Sequence, residues 1–461
     1  MTIDLILKDG KVYTQNGFQK FNITIDKGKI ISITKKSSLP NADQVINLNG
    51  KYIIPGLIDT HAHFRDPGFI HKEDFESGTK AAAAGGVTFA LDMPNVNPVT
   101  NTKLNLKNKI KIAEKKSIID FNFAVAATIP KEIPDMVKMG ALAIKIYMVK
   151  GEKNSYPYIP GVDVGNLGSL LSVFKIISKL PVPCMIHVHN DDIINTKKNK
   201  LIKEKKLDPL SYASMWLEDD TIGFKIGLTN ALILAETTNL KIHFCHCNHK
   251  GMLDIIQNAK TTNNKITAEA NPLSLFLKKT DIKKLGPYVL TGTFTNKFDK
   301  ESLWKSLTNG TIDVLGSDHA PHTKQEKEIG WKNAFKMPSG TPLIQEYLPL
   351  LLTEVNNNKL NLERLVYLTS EKPAKIFGLY PLKGALLAGS DADITIIDLN
   401  KEYKLKNENM YSKCKWTPFN GKTVKGMPIY TILRGKIIME NGVVNGIKGG
   451  GKLIKPLHKY K

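Results

Sequence analysis

Apolar runs of five to seven residues recur along the middle of the chain, each closed by a polar turn. Eight of them stand at the spacing of strand-then-helix units: Ile53–Ile58, Val87–Met93, Phe121–Ala127, Ala141–Tyr147, Val182–Val188, Lys241–Cys245, Lys265–Ala270 and Ile312–Gly316. Helical patterns lie between several of them, such as Glu76–Ala84 after the first and Leu228–Thr237 before the sixth. The gaps suit crossover helices joining parallel strands. Eight such units predict an α/β fold of the TIM type, a (β/α)8 barrel.

Both ends of the chain follow a different rhythm. Residues Ile3 to Ile46 alternate in short strands with Gly and Asn turns (LILKDGKVYT, FNITIDKGKIISITKK), and the tail repeats this in ADITIIDLN and TVKGMPIYTILRGKIIMENGVV. Neither half buries a core alone, so the two are expected to pair into one small β-sandwich built from both termini. The expected division is residues 1–52 and 386–461 for the sandwich and 53–385 for the barrel.

Composition narrows the class. The chain has 461 residues, 42% hydrophobic and 23% charged, as in an ordinary soluble globular protein. The start, MTIDLILKDGKV, lacks a basic segment before a long apolar one and does not resemble a signal peptide. No apolar run approaches the ~20 residues of a membrane span. A net charge of +22 invites a nucleic-acid reading, but the lysines are dispersed (KNKIKIAEKK, NTKKNKLIKEKK, KKTDIKK) without aromatic interleaving. They are expected to form a solvated surface, with neither nucleic acid nor membrane as partner. The four cysteines, Cys184, Cys245, Cys247 and Cys414, show no disulfide framework and are expected as reduced, buried thiols in a cytoplasmic protein. A zinc knuckle at Cys245-x-Cys247 is the lesser alternative, because in a strand His246 faces away from both thiols and all could reach one ion only through a turn.

The histidines carry the chemistry. Apart from His71 and His458, they fall at or near the ends of predicted strands. His61 and His63 follow the first strand in PGLIDTHAHFRDPG and share one strand face, so both imidazoles can meet one divalent cation. His187 and His189 close the fifth strand, His246 the sixth, and Asp318, His319 and His322 follow the eighth in VLGSDHAPH. All would gather at the rim where barrel enzymes place their sites. Lys145 lies among apolar neighbours in GALAIKIYM, an expensive place for an ammonium. It could snorkel or pair with Asp318, or add CO2 to become a carbamate that bridges two metal ions, which share and acidify a water.

Taken together, PGLIDTHAHFRDPG, HKEDFESGTKAAAAGGVTFALDMPN, VLGSDHAPHT, WTPFNGKTVKG and GLYPLKGALLAGSDADITIID resemble the dihydroorotases of the cyclic-amidohydrolase branch of the amidohydrolase superfamily. The resemblance spans almost the whole chain. It implies two divalent metal ions, zinc before cobalt or manganese, bridged by carbamylated Lys145. His61, His63 and Asp318 would hold the more buried ion and His187 and His246 the other. Asp318 would also act as the base, while Arg65, Asn95 and His322 match positions that hold a substrate carboxylate. The implied reaction interconverts N-carbamoyl-L-aspartate and L-dihydroorotate, a step of pyrimidine synthesis. The implied partners are a second copy of the chain and aspartate transcarbamoylase.

Arg65 and the MPN tripeptide favour this branch over hydantoinase, dihydropyrimidinase and allantoinase, and the intact set of ligand-type residues speaks against a metal-free homologue. His187 is preferred over His189 as ligand, with His243 structural and His319 behind the ligands. Two stretches depart from the family pattern: Asn271-Pro272-Leu273-Ser274, and Thr291 to Thr295, where a contact with the substrate is expected.

Overall fold

The computed structural model describes residues 2–149, 161–217, 219–291 and 295–457. Among these residues, seventeen strands form two sheets. The first five are β1 (Ile3–Thr14), β2 (Gly17–Asp26), β3 (Lys29–Thr34), β4 (Ala42–Asn47) and β5 (Tyr52–Pro55). The barrel strands are β6 (Leu57–Ala62), β7 (Val87–Asp92), β8 (Asp120–Ala126), β9 (Ala143–Tyr147), β10 (Cys184–His187), β11 (Ile242–Phe244), β12 (Ile266–Ala270) and β13 (Val314–Leu315). The last four are β14 (Ile394–Lys404), β15 (Thr423–Leu433), β16 (Lys436–Glu440) and β17 (Val443–Val444).

Strands β6 to β13 pair in sequence order, all parallel. The ring closes where Ala62 bridges His319 and the His63 amide donates to the His319 carbonyl at 2.8 Å. This is the predicted (β/α)8 barrel. Its strands are buried on both faces, one against the inner layers and one against the helices, which is why they lack polar alternation. The helix Phe75–Ala84 illustrates the outer layer. Asp74 caps it by accepting from the Ser77 amide, and Ala81, Ala82 and Ala83 let its backbone approach the strands closely.

The nine remaining strands form one mixed sheet from both ends of the chain, in the order β17-β16-β15-β14-β5-β1-β2-β3, with β4 beside β1. β5 is the seam. It runs parallel to β1 and antiparallel to β14, and so joins the N-terminal strands to the C-terminal ones. A core of Leu5, Leu7, Val12, Ile23, Ile25 and Ile53 with Ile394, Ile396 and Ile432 draws on both ends, which explains why neither half is sufficient.

The predicted strand Ile53–Ile58 is two strands. β5 stays in the terminal sheet, and the chain crosses at Gly56 into β6, whose reach extends to Ala62. Gly56 is required there, because a Cβ would collide with Thr88. The eighth strand shrinks to Val314–Leu315, since after Gly316 the chain bends inward and the Ser317 amide donates to Asp59 at 3.1 Å. Among the described residues no helix is long and apolar enough to cross a membrane.

Candidate active site

The C-terminal ends of the barrel strands collect the chemistry. His61 and His63 leave β6 on one face, and each has its Nδ1 committed to an oxygen: Glu269 Oε1 at 2.7 Å for His61, Asn95 Oδ1 at 2.7 Å for His63. In the neutral imidazole an oxygen acceptor on Nδ1 leaves Nε2 as the lone pair. Both Nε2 atoms face Asp318 Oδ1, at 3.5 Å and 3.2 Å. The ligand atoms of His61, His63 and Asp318 lie within 4.8 Å of one another. Three acceptors converging in a buried place fit a cation.

Electrostatics agree. Burial lowers His63 to about 3, keeping it neutral. Burial works against the charge on Asp318, yet His61 and His63 hold its carboxyl well below the usual range. For His61, burial and Lys145 oppose a positive charge, but Glu269 and Asp318 outweigh both and raise it to about 10. A proton and a metal ion therefore compete for the same Nε2.

A second group stands beside the first. His187 Nδ1 faces His246 Nε2 at 2.8 Å, and the His61 and His246 rings are 5.8 Å apart. Burial drives His246 down to about 4; burial, then His246 and His189, push His187 well below its usual value. His189 lies one step behind, with Nδ1 3.2 Å from His187 Nε2 and Nε2 2.7 Å from Asp191. His187 thus meets His246 while His189 backs it.

Lys145 is fully buried between the two groups, its Nζ 3.0 Å from Cys245 Sγ and 5.0 Å from the centre of the Tyr147 ring. It does not snorkel, and among the described residues it forms no ion pair with Asp318. An ammonium facing a thiol in a dry interior is poorly compensated. Backbone conformation adds to the picture: Arg65, His246 and Asp318 have φ of 64°, 39° and 47°. Such left-handed backbone in non-glycine residues costs energy and tends to gather at functional sites.

Sequence reasoning overlooked Glu269. Its carboxylate accepts from His61, from Thr60 Oγ1 at 3.1 Å and from the His246 amide at 3.2 Å, so one acid orients residues of both groups. Burial opposes its charge, but His61 and His243 hold it ionised. The signal was present: an acid between alanines in the strand ITAEA is as odd as Lys145 among its apolar neighbours.

A buried cationic cluster adjoins. Arg65 is 1% exposed, its Nε donates to the Pro321 carbonyl at 3.3 Å, and its Nη2 lies 3.3 Å from His322 Nε2. His322 Nε2 also reaches the Ser339 carbonyl at 3.0 Å, and Nδ1 lies 3.2 Å from the Lys72 ammonium. Lys72 is paired in turn with Glu326 at 2.7 Å. Lys327, buried and lowered by that burial to about 7, ties down the Pro338 and Gly340 carbonyls at 3.0 Å each. Gly340, at φ 140°, passes so close to Ala320 and His322 that a side chain has no room.

The other predicted residues fall into place around this. His319 accepts the Leu343 amide on Nδ1 and faces Glu73 with Nε2 at 3.4 Å, behind the ligand-type groups. His243 points into the barrel interior, 2.9 Å from Thr267 Oγ1. All four cysteines are free and buried, as expected. In the departing stretches, Asn271 caps Leu273 and Thr295 donates to the Ser274 carbonyl, while residues 292–294 and His458 lie outside the described residues.

Residues 52–438 match the signature described as the amidohydrolase family. The chain belongs to the amidohydrolase family. Over 449 residues it is 36% identical to a dihydroorotase of Methanosphaera stadtmanae, covering 96% of this chain and 97% of that one. It is 31% identical to an L-hydantoinase of Paenarthrobacter aurescens over 461 residues, 98% of each. Among solved structures, an L-hydantoinase (dihydropyrimidinase) from Arthrobacter aurescens superimposes with a TM-score of 0.94 at 30% identity. It covers 98% of this amidohydrolase and 100% of that chain.

Proposed function

We propose that this hydrolase of cyclic amides is a dihydroorotase, catalysing the reversible ring closure of N-carbamoyl-L-aspartate to L-dihydroorotate in pyrimidine synthesis. The observation that carries the choice of ring is the meeting of two buried donors, Arg65 Nη2 and His322 Nε2, 3.3 Å apart. With Lys72 donating to Nδ1 and the Ser339 carbonyl accepting from Nε2, the imidazole carries its proton on Nε2. The Nε2–H that reaches the Ser339 carbonyl can share its proton with an anion gripped by the neighbouring Arg65, and a guanidinium suits a carboxylate. A neutral hydantoin or dihydrouracil has no use for such a slot.

His61, His63 and Asp318 would hold one divalent ion, His187 and His246 a second, and Lys145 as a carbamate would bridge them. Zinc suits imidazole and carboxylate donors, as do cobalt and manganese. Bound there, such ions polarise a carbonyl and lower the pKa of a water. Carbamylation would replace the ill-compensated ammonium of Lys145 with an anion. In ring opening, the water oxygen adds to the ring carbonyl carbon and Asp318 accepts the water proton. The carbon–nitrogen bond then breaks, and Asp318 returns the proton to the departing ring nitrogen. Ring closure reverses each step. Asn95 holds His63 through its oxygen, while Arg65 and His322 fix the carboxylate, in a cytoplasmic enzyme for a small substrate.

A second reading, hydantoinase or dihydropyrimidinase, is supported by the 0.94 TM-score with the L-hydantoinase structure. Arg65→Ala separates the two. Turnover of dihydroorotate should fall about 100-fold, the cost of losing one side of a buried charged contact, and that of hydantoin much less. Equal losses on both rings would assign the chain to the hydantoinases.

A further inference from the structure

We propose that Lys72 sets the hydrogen-bonding form of His322, and so arms that imidazole as the second donor beside Arg65. The inference rests on the carboxylate reading above and deepens it.

A neutral imidazole offers one donor and one acceptor, and its neighbours decide which nitrogen is which. His322 is fully buried, so water does not make the choice. Its Nδ1 lies 3.2 Å from the Lys72 ammonium, which can only donate. Nδ1 must then be the acceptor, and the proton resides on Nε2, the nitrogen beside Arg65. The other form would set N–H against ammonium on one side and leave Nε2 with no proton for the anion or for the Ser339 carbonyl, 3.0 Å away.

Lys72 is itself held. Its side chain is 5% exposed and its ammonium is ion-paired with Glu326 at 2.7 Å. Glu326 in turn is fixed in the first turn of the helix Lys324–Lys332, where it accepts from the Thr323 amide at 3.0 Å. The chain Glu326–Lys72–His322 leads from a helix cap to the anion slot. Lys72 is thus a positioning residue, acting through His322. The sequence carries it inconspicuously, in HKEDFESGT, among the many lysines of a basic protein.

The test uses the full chain labelled with 15N at histidine, free of substrate, with His322→Gln to identify the His322 signals. In the native protein the His322 pair should show a protonated Nε2 and a bare Nδ1. Lys72→Met should shift it toward the other form, and Lys72→Gln, whose amide still donates, should restore the native pattern. In the same proteins, Lys72→Met should raise KM for dihydroorotate about tenfold more than KM for hydantoin, the worth of one hydrogen bond to a charged group, with kcat less affected. Unchanged imidazole signals in Lys72→Met overturn the proposal whatever the Arg65 variant does. Shifted signals with KM raised equally for both rings also overturn it, because the imidazole would then be set without serving the anion. Dihydroorotate turnover that is indifferent to Arg65→Ala, beside native-like signals in Lys72→Gln, would instead sink the carboxylate reading alone.

Discussion

Among the described residues, two places bring three ligand-type groups within 4.8 Å: the mouth of the barrel, where His61 groups with His63 and Asp318 and also with Cys245 and Glu269, and its floor, where Asp120, Asp391 and Asp393 meet. Only one of them is incomplete. At the floor, the Lys383 ammonium occupies the centre, 2.5 Å from Asp120, 2.9 Å from Asp391 and 2.5 Å from Asp393, and Arg434 completes the charge balance on Asp120. Asp120 opens β8, so this cluster fastens the N-terminal ends of the strands to the terminal sheet. At the mouth, by contrast, like meets like. Two imidazole nitrogens crowd one carboxylate, imidazole faces imidazole, ammonium faces thiol, and a guanidinium lies against an imidazole. A buried cluster that satisfies itself is structure, and one that needs outside partners is a site.

Substitutions at the mouth and at the floor should have different consequences, the largest of them at the mouth. Asp318→Asn keeps the shape of the mouth but removes its base, and steady-state turnover should fall by about 10³-fold or more with the melting temperature little changed. Retained activity would show that the mouth does not carry the chemistry. Lys145→Ala should also abolish turnover and reduce the metal content of the purified protein, with partial rescue by short-chain carboxylic acids. Full activity in that variant would end the carbamate proposal.

At the floor the expected losses move to stability. Lys383→Met leaves three buried carboxylates without their ammonium and should cost about 3–5 kcal/mol in denaturant unfolding, while the folded enzyme keeps its turnover. A loss of turnover larger than the loss of folded protein would mean that the two clusters are coupled.

The smallest effect concerns a buried group belonging to neither. Burial raises Glu346 to about 8 from an ordinary 4.5. The folded state therefore holds a proton that the unfolded chain gives up, and stability from this group is present below pH 4.5 and lost as pH rises toward 8. Glu346→Gln should stabilise the protein at pH 8 by up to a few kcal/mol, roughly 1.4 for each pH unit of the shift, and leave it nearly unchanged near pH 4.5. Equal unfolding curves for both proteins at both pH values would refute a neutral Glu346.

The candidate site was legible in the sequence where the chemistry is unusual for its setting. Histidines at strand ends and a lysine between apolar neighbours stand out because burying such groups is expensive. Glu269 escaped attention because an acid near the end of a strand is read as a surface residue until the strand is known to be central. Lys72 escaped because one lysine among many gives no local sign of being buried. The join between β5 and β6 was missed for a related reason: the run Ile53–Ile58 is apolar on both sides of Gly56, and hydropathy does not record which sheet a strand enters.

The period of the barrel, the pairing of the two termini and the histidines, Lys145 and Asp318 of the mouth could be read from the chain, because they follow from burial and from side-chain chemistry along it. The tertiary structure alone shows which nitrogens of His61 and His63 face Asp318, that His187 rather than His189 meets His246, and that Lys383 sits at the centre of the floor cluster. Those are relations between residues up to 263 positions apart, as Lys383 is from Asp120 at the floor. Distance in space, unlike residue type or period, is not written in any local stretch of the chain.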